Sequence, residues 1–188
     1  MPDGSGTAAA EVPPPAAEES ALIAVQAVLA NKPAVLPIAR AMSHFGEHSL
    51  GWLAIAGIGA LAAPQRRREW VTAGAGAFAA HAAAVVIKRV VRRTRPDHPA
   101  IAVHVGTPSR LSFPSAHATS TTAASILMAR ATGLPLPALL VPPMALSRLV
   151  LGVHYPTDVA TGAVVGALVA KGAEAVSVRL DRRSRGDR

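Results

Sequence analysis

No cysteine occurs in the sequence, so disulfides, thiolate nucleophiles and cysteine-based metal sites are excluded. Aromatic residues make up only 3%, and β-branched or aromatic runs are sparse, which disfavours a sheet core. The same scarcity leaves no stacking platform for bases. Nucleic acid is therefore not an expected partner, even though 19 Lys and Arg stand against 11 Asp and Glu, a formal net charge of +8. Acidic residues are nearly missing from the middle of the chain, where Trp70 to Thr157 hold eight basic residues and only Asp97 on the acidic side. A stretch of one sign in that region points to an anionic ligand.

What the sequence has in quantity is Ala, Val and Leu, within a hydrophobic share of 51%. Alanine favours helix and permits close packing of thin helices. Uncharged or nearly uncharged segments run from Ser49 to Pro64, Trp70 to Ile87, Leu111 to Ala129 and Ala131 to Ser147, with a fifth between Asp158 and Lys171. Sixteen uncharged residues cover about 24 Å as helix, and adjoining residues extend each segment toward the roughly 20 residues of a full span. The expected fold is all-α: an integral-membrane helical bundle of about five membrane helices. A short N-terminal helical region over Ala21–Met42, interrupted at Asn31, Lys32 and Pro33, precedes it. One membrane domain is expected over residues 21–178, flanked by a disordered Pro- and Ala-rich tail at 1–20 and a basic tail at 179–188. The first twenty residues lack the basic n-region of a signal peptide.

Gly162 and Gly166, with Ala170 one turn later, form a small-residue stripe that allows close backbone approach. Packing within the bundle is the expected use, and a contact between copies in a homo-oligomer is the alternative.

Three polar clusters sit at the edges of the apolar segments. In KRVVRRTRP, Lys88 and Arg95 are nearly two helical turns apart, so both can face the same way, and Pro96 biases Arg95 away from helix, placing its guanidinium at the helix end. Arginine suits phosphate because its planar fork donates two parallel charge-assisted bonds, while lysine supplies a compact charge. In FPSAH, Pro114, Ser115, Ala116 and His117 lead into a helix-prone run. A turn entering a helix presents unpaired N–H groups and the positive end of the helix dipole to an anion. Ser115 adds a hydroxyl, and His117 stands where it can protonate a leaving oxygen. In SRLVLGVHYPTD, Pro156 suits a first helical turn, which puts Asp158 near the helix N-terminus, four residues beyond His154. A carboxylate at that spacing can hold one imidazole nitrogen as N–H and leave the other its lone pair for attack. Arg148 lies six residues before His154 and can reach the same anion.

Taken together, these clusters resemble the signature of the type 2 phosphatidic acid phosphatase family, KxxxxxxRP, PSGH and SRxxxxxHxxxD. The match holds at ten specified positions, from Lys88 to Asp158. Ala116 departs from it, since the family usually has glycine there, and its methyl group narrows a backbone approach to phosphate. The resemblance implies a lipid-phosphate phosphatase in which His154 attacks phosphorus, Asp158 orients it and His117 protonates the leaving alkoxide. Lys88, Arg95, Ser115, the Ala116 backbone and Arg148 would hold the phosphate oxygens, with no metal and no cofactor. The implied substrate is a lipid-linked phosphate, a polyprenyl-phosphosugar monoester in particular, with a phosphatidate or polyprenyl diphosphate as the alternative. A vanadium haloperoxidase and a non-catalytic lipid-phosphate carrier are the remaining alternatives. The apolar segments argue against the first, and the His154–Asp158 pair against the second.

The connection from Pro96 to Pro114 is too polar for a span and is expected to roof the site, with Asp97, His98, His104 and Arg110 as possible sugar contacts. His44 to His48 spell HxxEH, an inverted zinc-peptidase pattern. Gly46 within it and the lack of a following acidic residue before Glu69 argue against zinc. His81, seven residues before Lys88 on the same helical face, should point into the bundle. Arg66, Arg67, Arg68, Arg130 and the C-terminal tail gather at the end opposite the motifs. The positive-inside rule then makes the protein a multi-pass cell-membrane protein with an extracytoplasmic active site.

Overall fold

A computed structural model describes residues 14–186, with side chains to residue 183. Among the described residues seven α-helices follow one another: α1 Ala17–Leu29, α2 Val35–Gly46, α3 Leu50–Ala62, α4 Arg67–Val91, α5 Ala116–Thr132, α6 Leu136–Val150 and α7 Pro156–Gly186. Among the described residues there is no strand, only a single antiparallel bridge between Thr94 and Leu111. Five helices coincide with the five uncharged segments, and α1 and α2 are the N-terminal pair, broken at Asn31–Pro33. Two boundaries differ from expectation. Helix α1 begins at Ala17, inside the stretch read as a tail, because Glu19 reaches back to accept from the Ala16 N–H at 2.9 Å and closes the first turn. Helix α7 runs without interruption through the basic segment to Gly186. Residues 1–13 of the expected tail lie outside the described residues.

Helix ends follow local chemistry. Helix α5 starts on Ser115 as N-cap and stops at Gly133, whose φ of 76° is the left-handed turn that glycine adopts without strain. Pro156 opens α7, where its missing N–H costs nothing. Helix α4 ends at Val91 with Arg92 left-handed (φ 57°), four residues short of Arg95. Lys88 and Arg95 are thus not on one helical face as their spacing suggested; Arg95 returns to the site on an extended loop.

Eleven of the seventeen residues of α5 are buried, among them Thr119, Ser120, Thr121, Thr122 and Ser125, which makes it the central helix. A helix enclosed on all sides has no polar face to reserve. The hydroxyls of Thr119, Ser120 and Ser125 bond to carbonyls one turn back, Thr119 Oγ1 to Ser115 at 2.8 Å, whereas those of Thr121 and Thr122 are buried without a partner. Leu127 and Met128 of α5 form the main core with Trp52, Ala56, Ala73, Ala77, Ala80 and Ala170 from the helices around it. The glycine stripe of α7 faces α5: a Cβ at Gly162 would fall 2.7 Å from the Ser115 carbonyl oxygen, and one at Gly166 2.3 Å from that of Thr119. These two helices therefore meet backbone to backbone within one chain.

Outward faces of α3, α4, α6 and α7 expose Ile58, Leu61, Phe78, Val86, Leu139, Val164 and Leu168. The helical segments Pro64–Val91 and Pro156–Arg183 are long and apolar enough to cross a membrane, and Leu136–Val150 is a shorter apolar helix. At the end away from the motifs, Arg66 Nη1 donates to the carbonyls of Arg130 and Ala131 at 3.2 and 3.1 Å. Arg130 pairs with Glu174 at 3.1 Å, and Arg68 with Asp181.

Candidate active site

The C-terminal ends of α4 and α6 and the N-terminal ends of α5 and α7 meet at one end of the bundle, which brings the three sequence clusters together. A cavity of about 390 Å³ opens there, lined by Lys88, Arg95, Ala116, His117, Arg148 and His154 with parts of α2 and the 105–109 loop.

His154 is 3% exposed. Its Nε2 stands 3.3 Å from Arg95 Nη1, and its Nδ1 stands 3.6 Å from Asp158 Oδ2. The second distance is too long for a hydrogen bond, but it turns Nδ1 to the carboxylate and Nε2 to the cavity cations. Burial, then the charges of Arg95, Arg148, Lys88 and His117, hold the imidazole well below its ordinary pKa, so it is neutral and retains a lone pair. Asp158 is fully buried, and its Oδ2 accepts from the Tyr155 N–H at 2.8 Å, closing the first turn of α7.

The cations reach the cavity in different ways. Lys88 Nζ donates to the carbonyls of Leu111 and Ser112 at 3.1 and 2.7 Å. Arg95 donates through Nε to Ser109 O at 2.8 Å and through Nη1 to Val153 O at 2.6 Å. Burial lowers its pKa to about 10, which leaves it charged at neutral pH. Arg148 is 1% exposed, yet its Nε and Nη1 have no hydrogen-bond partner. Leaving donors of a buried cation without partners is costly, and an anion in the adjoining cavity would be placed to take them up. Its neighbour Ser147 turns inward and bonds its own helix at Met144 O, 2.7 Å away.

Ser115 differs from its expected place. It is fully buried, does not line the cavity, and serves as the α5 N-cap, its Oγ facing the Ala118 N–H at 3.4 Å and its N–H donating to Asp158 O at 2.9 Å. What it offers the cavity is indirect: it fixes the first turn of α5, where the N–H groups of Ala116 and His117 have no partner within the helix.

His117 Nε2 lies 2.9 Å from the Ser43 carbonyl, an acceptor, so that nitrogen carries the hydrogen. Its ring also packs against Gly46, where a Cβ would fall 2.6 Å from Cδ2. Of these two α2 residues, Gly46 lies within the HxxEH segment and Ser43 just before it, so this stretch helps to seat a histidine of another motif. That segment does not present its own pair on one helical face, because His48 is left-handed (φ 50°). His48 turns toward His81, ring centroids 5.7 Å apart, and both line the cavity with His44 and Glu47. No group of three or more His, Asp or Glu side chains able to hold a metal occurs among the described residues. The 105–109 loop lines the cavity as expected of a roof, but Asp97, His98, His104 and Arg110 do not. Arg110 and His104 contribute backbone carbonyls instead, to Arg95 N–H and Arg40 Nε.

Known proteins resemble this chain over most of its length. Residues 69–181 match the PAP2 superfamily. A protein of Mycolicibacterium smegmatis named decaprenylphosphoryl-5-phosphoribose phosphatase is 74% identical over 148 residues, covering 79% of this chain and 82% of its own length. One of the same name from Mycobacterium tuberculosis H37Rv is 68% identical over 155 residues, covering 82% and 88%. Among solved structures, a transmembrane PAP2-type phosphatidylglycerolphosphate phosphatase from Bacillus subtilis superposes with a TM-score of 0.66 at 21% identity, over 85% of this chain and 86% of that one. Aquifex aeolicus LpxE does so with a TM-score of 0.62 at 16% identity, over 82% and 92%. The chain shares the fold of these two proteins, and two of its helical segments are long and apolar enough to cross a membrane.

Proposed function

We propose, on the premise that this chain belongs to the PAP2 superfamily and is a phosphoric monoester hydrolase, that it removes the phosphate from decaprenylphosphoryl-5-phosphoribose through a phosphohistidine. The substrate rests on the two mycobacterial relatives, which bear that name and share most of their length with this chain. The observation that carries the mechanism is the polarity of His154: one nitrogen faces Asp158, and the other faces a cavity lined by Lys88, Arg95 and Arg148.

In the first step, the Nε2 lone pair forms a bond to phosphorus as the P–O bond to the ribose 5-oxygen breaks. The departing oxygen takes a proton from Nδ1 of the His117 imidazolium, the form that a bound phosphate dianion favours, while the Nε2 hydrogen stays on the Ser43 carbonyl. The imidazole gains positive charge as it attacks, and Asp158 stabilises it. In the second step water attacks the phosphohistidine and gives a proton back to His117; the P–N bond breaks, returning its electron pair to His154 and releasing inorganic phosphate. The three cations and the first-turn amides of α5 stabilise the equatorial oxygens throughout. That charge complement makes the reaction metal-independent. Several helices cross the bilayer, with the site on the extracytoplasmic side and Arg66, Arg67, Arg68 and Arg130 on the cytoplasmic side.

The test is phosphate release in detergent, with chelator present, from the ribosyl lipid, phosphatidic acid and a polyprenyl diphosphate under one condition. The ribosyl lipid should have the highest kcat/KM. A preference of more than about tenfold for either of the others, roughly 1.4 kcal/mol of transition-state discrimination, overturns the substrate and leaves the phosphatase chemistry standing.

A further inference from the structure

Arg93 lies two residues before Arg95 and fills no position of the three motifs. Its Nη1 donates to Asp158 Oδ1 at 3.1 Å and to Thr157 Oγ1 at 2.7 Å, and its Nη2 donates to Glu18 Oε2 at 2.5 Å. The guanidinium carbon sits 4.0 Å from the centroid of the Tyr155 ring. Glu18, on α1, uses its other oxygen to accept from the Thr157 N–H at 3.0 Å and the Thr157 hydroxyl at 2.6 Å. Burial acts to raise the pKa of Glu18, but the bonds from Thr157 and Arg93 outweigh it and lower the value, so Glu18 is a carboxylate.

The two oxygens of Asp158 are thereby divided. Oδ2 is held by the Tyr155 N–H and faces His154 Nδ1, while Oδ1 is held by Arg93. A carboxylate turns readily about its terminal torsion, and a fully buried one with a free oxygen would turn toward whichever cation is nearest. We propose that Arg93, clamped by Glu18, is a positioning residue for the nucleophile: it fixes the Asp158 carboxylate with Oδ2 toward His154. The inference rests on the reading of His154 and Asp158 as nucleophile and orienting carboxylate. Arg93 does not line the cavity, and Nη1 and Nη2 both already donate to protein groups, so it is not a phosphate ligand. Through Glu18 the N-terminal helix becomes part of the catalytic apparatus, 140 residues before Asp158 in the chain.

Kinetics of the full chain in detergent, with a lipid phosphate monoester as substrate, test this with Arg93→Ala, Arg93→Lys and Glu18→Gln, each alone and with Asp158→Asn. Arg93→Ala should lower kcat about 10- to 100-fold, as loss of a partner that orients a reacting group does, with KM within about twofold. Arg93→Lys should recover part of that loss, since one ammonium can reach Asp158 but cannot also clamp Glu18. In the Asp158→Asn background Arg93→Ala should cost nothing further, because the group through which it acts is already altered. Should Arg93→Ala fail to fold, Glu18→Gln carries the test, with a several-fold fall in kcat that vanishes in the Asp158→Asn background. Unchanged kcat alongside a lower melting temperature would reduce Arg93 to a structural role. A raised KM with losses that add to those of Asp158→Asn would make it a phosphate contact. A fall with Asp158→Asn but none with Arg93→Ala or Glu18→Gln overturns this inference alone, whereas no fall with Asp158→Asn overturns the nucleophile reading as well.

Discussion

Gly46 and His117, on different helices, occupy space that cannot be shared with one further carbon: a Cβ on Gly46 would stand 2.6 Å from Cδ2 of the imidazole. Gly46→Ala should therefore push His117 off the Ser43 carbonyl and lower kcat for an alkyl phosphate, while an aryl phosphate, whose leaving oxygen needs little protonation, loses less. His117→Ala should show the same dependence on leaving group in stronger form, about 10²- to 10⁴-fold for the alkyl ester. Equal losses on both esters would remove His117 from the role of general acid.

His154→Ala should abolish turnover, and Asp158→Asn should lower kcat more than it changes KM. Vanadate should inhibit the native enzyme competitively by taking the phosphate place among Lys88, Arg95 and Arg148. Acid-labile radioactive phosphate trapped on the native protein, and missing from His154→Ala, checks the covalent step. Full activity of His154→Ala would refute the mechanism.

Acid pH should affect the nucleophile late. Burial and the surrounding cations lower the His154 pKa, so the imidazole remains neutral as pH falls through its ordinary value near 6.5, and protonation removes the lone pair only below that. Removing one of those cations with Arg95→Gln lets the pKa rise, and the acid limb of kcat/KM should move to higher pH. The two profiles, recorded on one substrate so that its own ionisation cancels, decide the matter. A limb that does not move, or moves to lower pH, contradicts the assignment.

Gly166→Ala should destabilise the bundle, because its new Cβ would meet the Thr119 carbonyl at 2.3 Å and force α5 and α7 apart. Overpacking of this kind costs about 1–3 kcal/mol, readable as a lower melting temperature in detergent. Gly57→Ala, where nothing lies within 4 Å, is the control and should hold or slightly raise the melting temperature, since alanine favours helix more than glycine.

Orientation is read by cysteine accessibility, which the absence of native cysteine makes clean. Arg67→Cys, exposed at the end opposite the cavity, should react with an impermeant reagent only after cells are opened. Reaction in intact cells would place the active site in the cytoplasm.

Much of the architecture was legible because its causes are local. Uncharged runs marked α3 to α7, Asn31–Pro33 marked the break between α1 and α2, and Pro156 marked the start of α7 within one residue. The motif spacing likewise brought Lys88, Arg95, His117, Arg148 and His154 to one cavity. Less legible were features set by tertiary contact. The spacing of Lys88 and Arg95 suggested a shared helical face, but Arg92 turns left-handed and the second cation arrives on a loop. Ser115 carries a phosphate-binding motif position, yet the helix beneath it needs a cap and takes the side chain. Ser43 and Gly46 act through a backbone carbonyl and a missing side chain, neither of which a pattern of side-chain chemistry can register.

The backbone contact of α5 with α7 at Gly162 and Gly166 has a consequence for how such an enzyme can vary. His117 belongs to the first turn of one of these helices, and His154 immediately precedes the other. Peptide groups in contact, rather than interdigitating side chains, act as the gauge between His117 and His154, the proposed acid and nucleophile, so repacking elsewhere in the bundle leaves their separation untouched. The 105–109 loop and the 47–49 turn, which wall the cavity without touching that gauge, are free to be recut for a different headgroup.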